Sequence, residues 1–320
     1  MKAGGGTPQA RPNAFIVGAP RCGTTAMFSL LAQHPDVSVS DIKEPYYFCT
    51  DFHEESDRYH ARRMRFPVRT EAEYLALFRG PSRPVVVEAT PAYLRSRDAP
   101  TNIHAFEPAA RILVMVREPV ELLRSLHAKM LSRGHEVLEN FREAIDAEPA
   151  RRTGRQLPAG LFWPSSLYYS EWIAFAAQIE RYRAVFTADR VKVVVYDDFQ
   201  RNNASTYAEI ARFLGLDASF QATPARTNVN RSVRFPLLAR SLAWVGDLPV
   251  KYVLSERQRQ RFGRAIRRVN LKPVHRAPLE PVLRREFMSR FRPEVERLSA
   301  VLQRDLVSLW EYPRASAIRP

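Results

Sequence analysis

The 320-residue sequence predicts an α/β fold, a central parallel sheet flanked by helices on both sides and followed by a helical C-terminal part. Three observations carry this expectation. Short apolar runs of strand length recur along the chain up to Tyr196. Segments with apolar residues at helical spacing separate them, and strands that alternate with helices form parallel sheets because each parallel pair needs a crossover. The first run also ends in glycine and opens at once into a helix, a strand–turn–helix unit.

Taken in order, Ala14–Gly18 (AFIVG) reads as a buried strand. A helix follows over Thr24–Gln33, with Ala26, Met27, Leu30 and Leu31 on its apolar side and His34-Pro35 as its stop. Val85–Glu88, after the turn signal Gly80-Pro81, is the second strand. The third, Ile112–Val116, runs through Arg117-Glu118-Pro119 into a helix marked by Leu122, Leu123, Leu126 and Met130. A long amphipathic helix over Ser166–Phe186 precedes the fourth strand, Val191–Tyr196. Another helix, Ala204–Leu214, ends at Gly215. The last eighty or so residues hold no clear strand, and their apolar spacing from Leu279 to Leu309 predicts helices packed back on the sheet. Of the two long connections, Arg133–Ser165 is expected to be helical around Val137–Ala147, and Arg226–Phe235 is a polar, basic loop. The expected organisation is a leader over 1–13, one domain over 14–314 and a tail over 315–320.

The charge balance is +15, and all but six of the 49 basic residues are Arg. The guanidinium fork suits phosphate, sulfate and carboxylate, so anionic ligands are expected. Two cysteines, Cys22 and Cys49, make neither a disulfide framework nor a zinc site and fit a reducing compartment. No apolar stretch approaches the ~20 residues of a membrane span. The leader has no apolar core of a secretory signal. A soluble, cytoplasmic protein is the expectation.

Gly18-Ala19-Pro20-Arg21-Cys22-Gly23-Thr24-Thr25 joins the first strand to the first helix. Backbone N–H groups at such a turn face a nucleotide phosphate. The spacing nearly fits the P-loop pattern GxxxxGK[ST], but Thr24 fills the lysine slot and the cation is Arg21. A kinase or NTPase needs that lysine and a carboxylate for Mg²⁺, and no strand ends in an Asp suited to the metal. The loop therefore reads as P-loop-like, built for one phosphate group without a triphosphate–metal cluster.

Pro20–Thr25 (PRCGTT) resembles the 5′-phosphosulfate loop of sulfotransferases that use 3′-phosphoadenylyl sulfate (PAPS). Arg117-Glu118-Pro119, with Ser125 eight residues after the arginine, is similar to that family's 3′-phosphate motif. Lys43-Glu44-Pro45-Tyr46-Tyr47-Phe48 resembles the Glu-Pro-x-Phe-Phe stretch of the glycan branch, which includes heparan sulfate 3-O-sulfotransferases. Glu88-Ala89-Thr90-Pro91-Ala92-Tyr93 resembles that branch's Glu-Lys-Thr-Pro-x-Tyr. The chain is thereby similar to the PAPS-dependent sulfotransferase family, closest to its glycan and bacterial branches.

The resemblance implies PAPS as donor and no metal. It makes Glu44 the base and Arg21 the catalytic cation, with Arg21, Cys22, Gly23, Thr24 and Thr25 on the 5′ side of the donor. Arg117 and Ser125 hold the 3′-phosphate, and Arg231 and Arg234 belong to a basic loop that closes over the nucleotide. Lys43, Tyr46 and Tyr93 line the acceptor side. The glycan branch's Lys is Ala89 here, and the basic residue before the phosphate-loop cation is Pro20. A sugar hydroxyl on a glycan or glycolipid is the expected acceptor, with a hydroxylated small molecule as the alternative. His127 reads as a packed helical residue and Cys22 as a small filler. Two other classes stay in view: a P-loop kinase or NTPase, which needs a Mg²⁺ carboxylate, and a basic nucleic-acid-binding protein, against which the arginines are dispersed and no recognisable module is present.

Overall fold

A computed structural model describes residues 10–61, 66, 68–79, 83–223, 231–233, 271–273 and 278–313. The chain divides into two units, Met1–Leu122 with Ser170–Thr227 and Arg284–Pro320 in the first, and Leu123–Tyr169 with Asn228–Leu283 in the second.

The first unit is built on a five-stranded parallel sheet in the order β2-β3-β1-β4-β5. Its strands are β1 (Ala14–Gly18), β2 (Val37–Val39), β3 (Val85–Ala89), β4 (Arg111–Val116) and β5 (Val191–Val195). β1 is central and wholly buried, which is why its sequence is a continuous apolar run instead of an alternating one. Ile16 lies opposite Ala89 on one side and Leu113 on the other, so the carboxyl ends of β1, β3 and β4 share one edge. Ligands of open α/β sheets bind at that edge.

Helices flank the sheet. α1 (Thr24–Leu31) turns Met27, Leu30 and Leu31 inward. α2 (Thr50–His60), α3 (Glu71–Leu75) and α4 (Ala99–Phe106) follow, α3 opened by a capping box between Thr70 and Glu73. The chain then enters the second unit along α5 (Pro119–Ser132); that unit holds α6 (Phe141–Asp146), α7 (Glu148–Arg152) and a 3₁₀ turn at Pro164–Leu167, and the chain returns through α8 (Tyr169–Trp172) to α9 (Phe175–Val185). After β5 come α10 (Tyr196–Arg201), α11 (Asn203–Leu214), α12 (Pro281–Leu302) and α13 (Leu306–Leu309). Gly215 ends α11 at φ 73°, a conformation that glycine adopts without steric cost.

The second unit holds a buried ion pair as its centre. Arg151 Nη2 lies 2.8 Å from Glu136 Oε2, and both side chains are fully buried. The Tyr169 hydroxyl donates to the same carboxylate at 3.0 Å, and the backbone N–H groups of Val137 and Leu138 donate to its other oxygen. His127 packs here as expected, its ring against Phe141 and its Nε2 2.8 Å from the Leu138 carbonyl.

The expected strands stand where the apolar runs lie, with five differences. β2 is an extra edge strand whose three residues are too few to show a period. The single helix expected over Ser166–Phe186 is broken in two places. Tyr168 and Ala174 take non-helical dihedrals, and the Phe175 N–H closes a tight turn on the Ile173 carbonyl while the apolar spacing runs on unbroken. The last eighty residues do contain a strand: β7 (Leu271–Pro273) pairs antiparallel with β6 (Arg231–Val233), inside the segment expected to be a loop. Finally, Tyr196 opens α10 instead of closing β5, and the helix after Arg133 begins at Phe141, where Asn140 caps it. Gly80-Pro81 and the tail over 315–320 lie outside the described residues.

Candidate active site

The phosphate loop leaves β1 with its backbone held on two sides. Ala19 N–H donates to the Met115 carbonyl at 2.6 Å, and Leu94 N–H donates to the Val17 carbonyl at 2.7 Å. A side chain at Gly18 would meet Leu94 Cβ at 2.4 Å, so the close approach of that strand end requires glycine. Arg21 takes a left-handed backbone, φ 67°, and Gly23 follows at φ 85° as the N-cap of α1. No carboxylate stands in the first turn of α1 to compete with an anion at the helix start. Thr24 is buried and Thr25 exposed.

Cys22 is fully buried, and its thiol is pushed up to about 12 by burial, which outweighs the opposing fields of Arg117 and Arg21. The helix terminus and the neighbouring arginine alone favour thiolate, but desolvation wins because no water reaches the sulfur. Its side chain lies buried beneath the loop.

Arg117 leaves the end of β4 and turns onto this loop. Its Nη1 donates to the Arg21 carbonyl at 3.4 Å, and its guanidinium lies 4.9 Å from the centre of the Tyr196 ring. Glu121, one turn along α5, stands 3.7 Å from Arg117 Nη2 and 3.0 Å from Arg284 Nη1. Behind it, the buried Glu118 carboxylate accepts the N–H groups of Val120 and Glu121 at the start of α5 and the Tyr312 hydroxyl at 2.6 Å. The two motifs therefore meet. Ser125 lies on α5 in the second unit and is buried. Arg231 belongs to β6, and Arg234 lies outside the described residues.

Glu44 sits in the segment after β2, tied by its N–H to the Ala89 carbonyl at the end of β3. Its carboxylate accepts from Lys43 Nζ at 3.1 Å and from the Tyr46 hydroxyl at 3.2 Å. Glu44, Lys43 and Tyr46 are thus brought together, each partly exposed. Glu44 and Tyr46 both adopt left-handed backbones, φ 64° and 61°. Tyr93, expected on the acceptor side, is fully buried; its hydroxyl takes the Phe48 N–H at 3.4 Å and its carbonyl takes the Tyr182 hydroxyl. In this structure its side chain is buried and supports the 43–48 segment through the Phe48 N–H.

Two residues of the neighbourhood have places that the motifs do not assign. Tyr196 lies under Arg117 and against Gly23, where a methyl group would come within 2.8 Å of its ring. The available signal is an aromatic residue directly after the fourth apolar run. Glu88 is a fully buried carboxyl whose pKa is raised to about 7 by burial, against the pull of hydrogen bonds from Thr90, Tyr93 and Tyr74. Its signal is a lone acid within the run VVVEA.

The carboxylates after β5 are engaged by the protein: Asp197 accepts the Trp310 indole N–H at 3.0 Å, and Asp198 pairs with both terminal nitrogens of Arg304. Among the described residues no three His, Cys, Asp or Glu side chains gather as a metal site, and no helix is long and apolar enough to cross a membrane.

Comparison with known proteins adds the following. A family model described as the sulfotransferase family matches residues 12–220. Human heparan sulfate glucosamine 3-O-sulfotransferase 6 is 35% identical over 123 residues, which are 38% of this chain and 31% of that protein. Rat carbohydrate sulfotransferase 15 is 28% identical over 170 residues, 42% of this chain and 30% of that one. The matches thus span about a third of these relatives' length. A solved sulfotransferase from Alicyclobacillus acidocaldarius superposes with a TM-score of 0.68 at 26% identity, covering 94% of this chain and 99% of the other.

Proposed function

The chain belongs to the sulfotransferase family, and from that premise we propose that it moves a sulfuryl group from PAPS to a hydroxyl of an acceptor. One observation carries the donor assignment: Arg117 of the second motif donates to the Arg21 carbonyl of the first, so both anion-binding motifs form one surface at the carboxyl edge of the sheet. The residues present fit a 3′-phosphorylated nucleotide. Arg21 and the amides of Gly23–Thr25 take the 5′-phosphosulfate end, as helix N-termini take phosphate. Arg117 takes the 3′-phosphate, and the motif resemblance assigns Ser125, Arg231 and Arg234 to the same nucleotide.

In this reading Glu44 removes the acceptor's proton as the oxygen attacks sulfur, and Arg21 with the loop amides offsets the charge that develops on the leaving phosphate. Catalysis then rests on positioning and charge stabilisation. Lys43 and Tyr46 line the acceptor side. The acceptor proposed is a sugar hydroxyl on a glycan or glycolipid, in line with the names of the curated relatives. Pro20 and Ala89, which stand where the glycan branch has basic residues, favour a hydroxylated small molecule as the second reading. The two unpaired, buried cysteines make the cytoplasm part of the same proposal.

The test is a titration with 3′,5′-adenosine bisphosphate, with ATP plus Mg²⁺ beside it, read as thermal stabilisation. A large shift with the bisphosphate that disappears in Arg117→Ala and in Arg21→Ala is expected. Stabilisation by Mg²⁺–ATP alone would put a kinase first.

A further inference from the structure

The segment 43–48 holds two non-glycine residues in left-handed backbone, Glu44 at φ 64° and Tyr46 at φ 61°. Such conformations persist only where the surroundings over-determine them. The surroundings here converge on one group. Glu88 is fully buried at the end of β3. Thr90 Oγ1 donates to its Oε1 at 2.7 Å, the Tyr74 hydroxyl donates to its Oε2 at 3.3 Å, and the Tyr93 hydroxyl bonds it as well. Two of these partners reach the segment directly. Tyr74 stacks on the Tyr47 ring at 4.4 Å and 15°, and the Tyr93 hydroxyl accepts the Phe48 N–H. The next residue of β3, Ala89, accepts the Glu44 N–H. His53 adds a further tie, its Nε2 lying 2.8 Å from the Tyr46 carbonyl.

We infer that Glu88 is a positioning residue for the transfer: through Tyr74 and Tyr93 it holds the segment that carries Glu44 in its left-handed form. It touches neither donor nor acceptor. The inference rests on Glu44 being the base of the proposed reaction. A buried polar side chain that orders three hydroxyls also explains why an acid occupies an otherwise apolar strand, since a buried carboxyl is costly unless its neighbours satisfy it.

The experiment compares the unaltered chain with Glu88→Gln and with the milder Tyr93→Phe, which removes the acceptor of the Phe48 N–H and leaves the carboxyl in place. Amide hydrogen exchange over 43–48 should quicken by about tenfold, the loss of one net hydrogen bond, in both variants. Exchange in β1 and β4, and binding of 3′,5′-adenosine bisphosphate, should stay as they are. With phenol as the acceptor probe, release of the bisphosphate from PAPS should slow in kcat by about tenfold with KM for PAPS unchanged, and this loss should vanish in a Glu44→Gln background. Faster exchange throughout the sheet, or unchanged exchange over 43–48, would overturn the inference. So would a Glu88→Gln penalty that simply adds to that of Glu44→Gln. Failure of the unaltered chain to bind the bisphosphate would instead strike the sulfotransferase reading, and the exchange measurement would still decide the tether.

Discussion

The guanidinium of Arg117 rests 4.9 Å from the centre of the Tyr196 ring while its Nη1 donates to the Arg21 carbonyl. A ring on one side and a carbonyl on another fix the plane of the fork, which is what a bidentate phosphate contact requires. Arg117→Ala should therefore weaken binding of 3′,5′-adenosine bisphosphate by roughly 10- to 100-fold, the worth of one or two charged hydrogen bonds. Arg117→Lys keeps the charge but loses the fork and the stacking, and should fall between the two. Calorimetric titration of the three proteins checks this, and equal affinities would remove Arg117 from the donor site.

Gly23 combines a φ of 85° with a Tyr196 ring carbon 2.8 Å from where a methyl group would sit. Gly23→Ala should cost roughly 1–2 kcal/mol for the left-handed backbone, and more for the collision. Shortening the ring with Tyr196→Leu in the same chain should recover only the collision part. Denaturant midpoints of the single and double variants separate the two contributions.

Glu44 accepts from Lys43 and Tyr46 and is partly exposed. As the proposed base it should account for about 10²- to 10⁴-fold of the rate, so Glu44→Gln should lower turnover by that much while donor affinity is retained. A variant that loses bisphosphate binding together with turnover would mean the residue holds the loop and moves no proton.

Cys22 sits beside two arginines at a helix start yet is pushed up to about 12 by burial. The folded protein should leave it unmodified by iodoacetamide at mild alkaline pH, and Cys22→Ala should keep donor binding. Rapid alkylation of the native chain, located by peptide mapping, would contradict this.

Glu88 makes stability depend on pH in a definite direction. Its folded pKa, about 7, is raised from 4.5, so between those values the folded chain holds a proton that the unfolded chain has lost. Stability should consequently fall as pH rises through that window, by about 3 kcal/mol from this group, and level off above it. Below the unfolded pKa the group contributes no cost. Glu88→Gln should flatten the curve between these limits, as measured by urea unfolding at several pH values, and parallel curves for the two proteins would refute the assignment.

How much of this was legible in the sequence depends on what each signal averages over. β1 is apolar, and β3, β4 and β5 nearly so apart from Glu88, Arg111 and Lys192, because the strands are buried in the sheet, and such runs declare themselves without reference to partners. The phosphate loop was equally legible as a pattern, although the contacts that demand its glycines come from far along the chain, Leu94 against Gly18 and Tyr196 against Gly23. The break at Tyr168 and Ala174 was not, because the apolar period continues across it and only the tertiary path of the chain bends there. β2 and the β6–β7 pair are too short to carry a period. At the site, Glu44 and Arg117 were readable as motif residues, whereas the inward position of Tyr93 and the hub formed by Glu88 depend on contacts between distant segments. A motif states which residues recur together, not which of them faces solvent.

The hydrogen bond from Tyr312 to Glu118 joins residues 194 positions apart, and its partner Glu118 caps the helix start beside Arg117. On the ribosome, where a chain emerges from its N-terminus, the phosphate loop and β4 are available long before Tyr312 is made. The brace behind the Arg117 motif can close only after that residue has cleared the exit tunnel. A nascent chain stalled short of it would carry the start of α5 without its far brace.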